Sequence, residues 1–153
     1  MGRMYSAVFQ NIAVGTAAQD VFTLTGASNV VFIVHHISVT QGSDLGDAQE
    51  EGVRITLTMG ATAGSGGTAL TEQALEEGLP AADIAAVRNN TTQSTGGRVI
   101  LEEQMNNRVG FYFTPTPEMR PVNAGTTSFV VAMSSTLADA MNMSGTIIWE
   151  EIG

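Results

Sequence analysis

The sequence predicts an all-β protein, an antiparallel β-sandwich of jelly-roll type with about eight strands and at most one short helix. Alternation of apolar and polar residues with a period of two recurs from end to end, the signature of half-buried strands. The intervals between alternating runs are rich in Gly, Pro, Asn and Thr, which is the chemistry of turns and loops. Helical periodicity is nearly absent. The chain has 153 residues, enough for one domain that buries roughly two-thirds of its extended surface without staples. No internal repeat or linker divides it, so a single domain spanning residues 1–153 is expected.

Taken in order, Tyr5 to Val14 and Val21 to Leu24 are short alternating candidates at the start of the chain. Val30 to Thr40 begins as a continuous apolar run, which predicts a central strand covered on both faces before it emerges at Ser38 and Thr40. Val53, Ile55, Leu57 and Met59 alternate with Arg54, Thr56 and Thr58, a clear half-buried strand. Thr71 is placed to cap a short helix over Glu72 to Glu77, with acids in its first turn, Gly78 as a stop and Pro80 beyond. Arg98 to Glu102 is a weaker strand. Val109, Phe111 and Phe113 alternate with Gly110 and Tyr112, and Phe129, Val131 and Met133 alternate around Val130 and Ala132. The last strand, Met143 to Ile152, carries Ile147 and Trp149 on one face and Ile148 and Glu150 on the other. Loops are expected over Gln41 to Gly52, Gly60 to Gly67, Asn89 to Gly97 and Pro115 to Thr126, where Pro115, Pro117 and Pro121 block continuous ladder pairing.

Composition excludes several classes of function. There is no cysteine and no lysine, so thiol nucleophiles, Schiff-base lysines and thiolate metal sites are impossible. Six arginines against fifteen acids give a net charge of −9, a field that repels DNA and RNA. Charged residues are only 14% of the chain, below the ordinary share of about 25%. Part of the surface is therefore expected to be Thr, Ser, Asn, Gln and Gly, or covered by a partner. No apolar run is long enough to span a bilayer and the N-terminus lacks a signal-peptide apolar region, so a soluble protein with no membrane partner is expected.

His35 and His36 are the only histidines. On a regular strand they point to opposite faces, and no third imidazole exists for a zinc set, which favours structural roles. Asp44, Asp47, Glu50 and Glu51 crowd one loop whose spacing differs from an EF-hand, leaving a solvated acidic loop as the expectation and calcium as an open question. The adjacent acids Glu76 and Glu77, Glu102 and Glu103, and Glu150 and Glu151 point apart on a strand and so do not form a glycosidase pair. Gly60 to Gly67 lacks the Gly-Lys-Ser/Thr ending of a phosphate loop, and Ser65 and Ser144 lie in no Gly-x-Ser-x-Gly elbow. No cofactor is implied.

The segments Gly2-Arg3-Met4-Tyr5-Ser6, Thr116-Pro117-Glu118-Met119-Arg120-Pro121 and Met143-Ser144-Gly145-Thr146-Ile147-Ile148-Trp149-Glu150-Glu151, set in a chain of this size and strand pattern, resemble the small virion proteins of tailed bacteriophages. Among these the chain is most similar to the jelly-roll capsid decoration, or cement, proteins. The resemblance implies a non-enzymatic structural protein on the capsid surface of the virion, made in the cytoplasm of a bacterial host. It implies the major capsid protein and copies of the chain itself as partners, with a trimer as the assembled form. It supplies no catalytic residues. By residue type alone, Arg3, Tyr5, Arg120 and Trp149 are the partner-binding candidates, with Met1 to Tyr5 and the proline-rich turn around Arg120 as arms reaching neighbours. Two other classes fit less well: a β-sandwich carbohydrate-binding module, for which one Trp and two Tyr make a thin platform, and an acid-pair hydrolase, which needs two convergent carboxylates.

Overall fold

A computed structural model describes residues 2–42 and 51–153. Among them the chain forms β1 (Arg3–Val14), β2 (Gln19–Thr25), β3 (Val31–Gln41), β4 (Gly52–Ala61), β5 (Thr68–Ala69), β6 (Gln73–Ala74), β7 (Ala85–Asn90), β8 (Arg98–Asn106), β9 (Phe111–Phe113), one turn of 3₁₀ helix (Pro117–Met119), β10 (Val122–Ala124), β11 (Ser128–Met133) and β12 (Met141–Ile152). The acids Asp44, Asp47 and Glu50 of the candidate calcium loop lie outside the described residues.

Two antiparallel sheets face one another. The first has the order β10-β3-β12-β1-β6, with β9 sharing the outer side of β3, and the second the order β5-β7-β2-β11-β4-β8. The chain crosses between sheets at most of its connections, as in a β-sandwich. The consecutive strands β11 and β12 lie in the middle of opposite layers: β12 pairs with β1 and β3, and β11 with β2 and β4. Inward residues from the two sheets form one continuous core, including Phe9, Phe22, Phe32, Ile37, Ile55, Leu57, Phe129 and Ile147. Gly145 is required where the layers touch. A Cβ there would lie 2.7 Å from the Phe9 ring and 2.8 Å from the Phe22 ring, and those two rings pack with centroids 5.0 Å apart.

The predicted alternation over Val53 to Met59 is β4, with all four apolar side chains inside. Other expectations need correction. The helix over Glu72 to Glu77 does not form. Gln73 and Ala74 pair with Ser6 and Tyr5 as an edge strand, Leu75 N–H donates to the Met4 carbonyl at 2.9 Å, and Glu72 accepts the Ala86 N–H at 2.7 Å. Tertiary partners outbid a helix too short to hold itself together. β3 is interior to its sheet, with β12 on one side and the short β9 and β10 on the other, but it is not covered on both faces, because its outward residues are half-buried. The strands buried on both faces are β2 and β11. Val109 lies in the turn before β9 and is 69% exposed. The long edge strand β8 carries Arg98, Glu102 and Glu103 and a register shift that leaves Ile100 unpaired, devices that blunt an open edge.

Candidate functional site

The richest polar cluster lies where β1 and β12 run side by side. Glu151, 1% exposed, is directed inward beside Phe32 and collects four donors. Its Oε1 accepts Ile84 N–H at 2.9 Å and Trp149 Nε1–H at 3.1 Å. Its Oε2 accepts Asp83 N–H at 3.1 Å and Arg3 Nη2–H at 3.2 Å. Arg3 also pairs with Asp83. The Tyr5 ring stacks on Trp149, centroids 6.0 Å apart, and its hydroxyl donates to the Pro80 carbonyl at 2.9 Å. The cluster ties β1, β12 and the segment leading into β7 together, so it is a clamp inside the fold.

This placement revises the partner-binding candidates. Tyr5 and Trp149 are 1% and 0% exposed, so their hot-spot chemistry is spent in the core. Arg3 is committed to Glu151 and Asp83. Arg120 is half-buried just after the 3₁₀ turn, with Glu118 as its charged neighbour. Nor are residues 3–5 a free arm: they open β1 and pair with β12. Removing residues 1–5 would strip the clamp and destabilise the fold.

His35 and His36 do not point apart. Ile148 pairs with His36 and Trp149 with Val34, so His35 is an extra residue in the ladder. A β-bulge of this kind resets the alternation, and both imidazoles leave on the outer side of the first sheet. His35 Nε2 lies 3.0 Å from Glu150 Oε2, and His36 Nδ1 lies 2.8 Å from Thr114 Oγ1. The Gly2 N–H, 2.6 Å from Glu150 Oε1, and then His35 hold the Glu150 carboxyl below the ordinary Glu range. A second bulge, between Phe9 and Ile12 against β12, places Asn11 at φ 52°.

The surface around them is the most distinctive feature of the molecule. The outward residues of β1, β3, β9, β10 and β12 include Ser6, Ser38, Thr40, Thr146, Ile33 and Ile148. Among them stand Val8, Tyr112, Val122 and Ile152, 55%, 63%, 48% and 47% exposed. Glu150 is the one carboxylate these strands direct outward among the described residues, and no arginine joins it. This face, poor in charge, carrying separate apolar side chains and a shallow depression lined by Val8, Ser38, Thr40 and Thr146, has the composition of a protein interface.

No protein-family model, curated protein or solved structure matches the chain.

The outer face of the second sheet is built differently. The segments 62–65 and 92–95 meet through the bridges Thr62 to Thr95 and Ser65 to Thr92, and residues 93–96 lie over Val130 and Ala132 around a cavity of about 130 Å³. Asp20 holds this cover in place. Its Oδ2 accepts Ser94 N–H at 2.8 Å and Ser94 Oγ–H at 2.6 Å. Burial pushes the Asp20 carboxyl above the ordinary Asp range, against the pull of Ser94 and Asn90. A carboxyl whose pKa is raised by folding stabilises the fold fully at low pH and loses that contribution as pH rises through the folded value. The stability difference between wild type and Asp20→Asn should therefore move in favour of wild type between neutral pH and about pH 4, read by urea unfolding at both. A difference that moves the other way would contradict the assignment.

Among the described residues no three metal-ligating side chains converge. Ser65 and Ser144 have no imidazole partner: the Ser65 backbone bridges to Thr92, and Ser144 Oγ accepts the Asn11 N–H at 3.0 Å. The sequence shows Glu151 only as half of an adjacent acid pair, and it does not mark Asp20 at all. Their donors come from residues distant in the chain, so no local pattern marks them.

Proposed function

We propose that this protein is a non-enzymatic structural component of a tailed-bacteriophage virion, a capsid decoration protein that binds the outer surface of the assembled shell and stabilises it. The observation that carries this reading is the open, charge-poor outer face formed by β1, β3, β9, β10 and β12. Its four rows of strand, spaced about 4.8 Å and running roughly 33 Å, span on the order of 600 Å². A partner contributes about 800 Å² to a standard interface. A protein of net charge −9 approaches an ordinary protein surface most easily through a face with almost no charge of its own. The resemblance to decoration proteins supplies the shell, a trimeric form and the virion location. A carbohydrate module fits less well, because Trp149 and Tyr5 are buried and Tyr112 is left as the exposed ring of this face.

The test is co-sedimentation of the purified protein with undecorated capsids of the virus that encodes it. Wild type should pellet with the shells, and Val8→Glu combined with Tyr112→Glu should lower binding at least about tenfold, since each buries a charge at the contact, while circular dichroism stays unchanged. Failure of wild type to pellet, together with binding to a glycan array, would replace this reading with the carbohydrate module.

A further inference from the structure

The two edges of the sandwich are complementary to each other. On one edge, between the start of β8 and β10, lies a groove of about 370 Å³ lined by Met59, Val122, Ala124, Asn123 and the backbone of Gly60 and Gly97, with Arg98 at its side. Val99 and Ile100, 57% and 40% exposed, continue the apolar surface along β8. Arg98 makes no side-chain hydrogen bond or ion pair among the described residues, whereas Arg3 and Arg54 are both paired.

The opposite edge carries the matching shape and charge. After β6 the chain turns through Leu75, Glu76, Glu77 and Gly78, the last at φ 86°. Leu75 is 54% exposed, although its N–H is fixed to the Met4 carbonyl at 2.9 Å. The side chains of Glu76 and Glu77 are exposed and have no partner among the described residues. The turn is thus an anchored apolar knob flanked by two acids. It lies at the β6 and β5 end of the strand orders, and the groove lies at the β10 and β8 end, so knob and groove cannot meet within one molecule.

We propose that copies of this chain join edge to edge, the Leu75–Glu77 turn of one copy seated in the groove beside Arg98 of the next. Leu75 enters between Met59 and Val122, and the acids approach Arg98. A cavity of this volume is in the range that accepts a side chain and its neighbours. Two copies of net charge −9 repel generally, so an acid-to-arginine contact selects this pairing over others. The contact joins different surfaces of the two partners, and it therefore propagates into a closed ring or an open chain according to the rotation between copies. It covers Val122 at the rim of the first sheet's outer face and leaves Val8, Tyr112 and Ile152 free, and it holds whether or not a capsid is the other partner.

Sedimentation velocity on the purified protein, over a range of concentration at low salt, tests it. Wild type should sediment as a species larger than the monomer. Leu75→Ser and Arg98→Glu should each weaken association at least about tenfold, with circular dichroism unchanged. Combining Arg98→Glu with Glu76→Arg and Glu77→Arg should restore it. The Val8→Glu, Tyr112→Glu variant should associate like wild type. A monomeric wild type, variants at Leu75 and Arg98 that associate normally, a charge swap that fails to restore association, or loss of association in the Val8 and Tyr112 variant would each overturn the proposal.

Discussion

Replacing Glu151 by alanine is expected to cost on the order of 3–5 kcal/mol of folding stability, the range for breaking a buried ion pair from one side. The side chain is 1% exposed and satisfies Trp149 Nε1–H, two backbone N–H groups and Arg3. Alanine leaves the indole and Ile84 donors buried without acceptors, and Arg3 keeps only Asp83. A small domain has about 5–15 kcal/mol in all, so the loss is a large share of the total. Urea unfolding should show a lower midpoint with an unchanged slope. Glu151→Gln, which keeps an acceptor, should lose clearly less. If alanine and glutamine are equally mild, the clamp does not hold the fold as described.

Ile55→Asp should prevent folding altogether. Ile55 is fully buried and sits in β4 opposite Met133 on one side and Glu103 on the other. A carboxylate in that position has no donor and no solvent, and its desolvation costs several kcal/mol beyond the lost apolar contact. A slip of one residue cannot rescue it, because the slip sends Val53, Leu57 and Met59 outward as well. The neighbouring substitution Arg54→Asp is the control. Arg54 and its partner Glu102 have side chains 46% and 48% exposed, so solvent screens the pair and its loss is mild. Loss of the β-type circular dichroism and of cooperative melting in the first variant, with both retained in the second, is the expected outcome. A folded Ile55→Asp protein would mean that β4 is not a core strand.

Legibility in the sequence followed how local each cause is. β4, β11 and β12 are visible as alternation, and the inward face of Trp149 follows from the same pattern. The sequence also indicates that Glu150 and Glu151 part company. It does not indicate that Glu151 is the inward one, because the reason is the convergence of Arg3, Asp83 and Ile84. β7, with Arg88, Asn89 and Asn90 in its second half, shows no strand pattern and exists because β2 offers it a ladder. The charge-poor outer face was foreshadowed by composition, but its location was hidden by the bulge at His35. Period-two counting puts the two histidines on opposite faces, and a single extra residue in the ladder reverses that conclusion.

The position of β11 and β12 sets an order of events during synthesis. The ribosome makes these strands after the rest of the sandwich, yet each fills the middle of its sheet, between β1 and β3 in one layer and between β2 and β4 in the other. Until they emerge, β1 and β3 lack β12, β2 and β4 lack β11, and the middle of the sandwich stays open to solvent. A nascent chain therefore cannot lock its N-terminal half in advance, and refolding belongs with the slow class of non-local β topologies, in milliseconds to seconds. The same wait leaves long apolar strands uncovered while neighbouring chains are being made, the interval in which aggregation competes with folding.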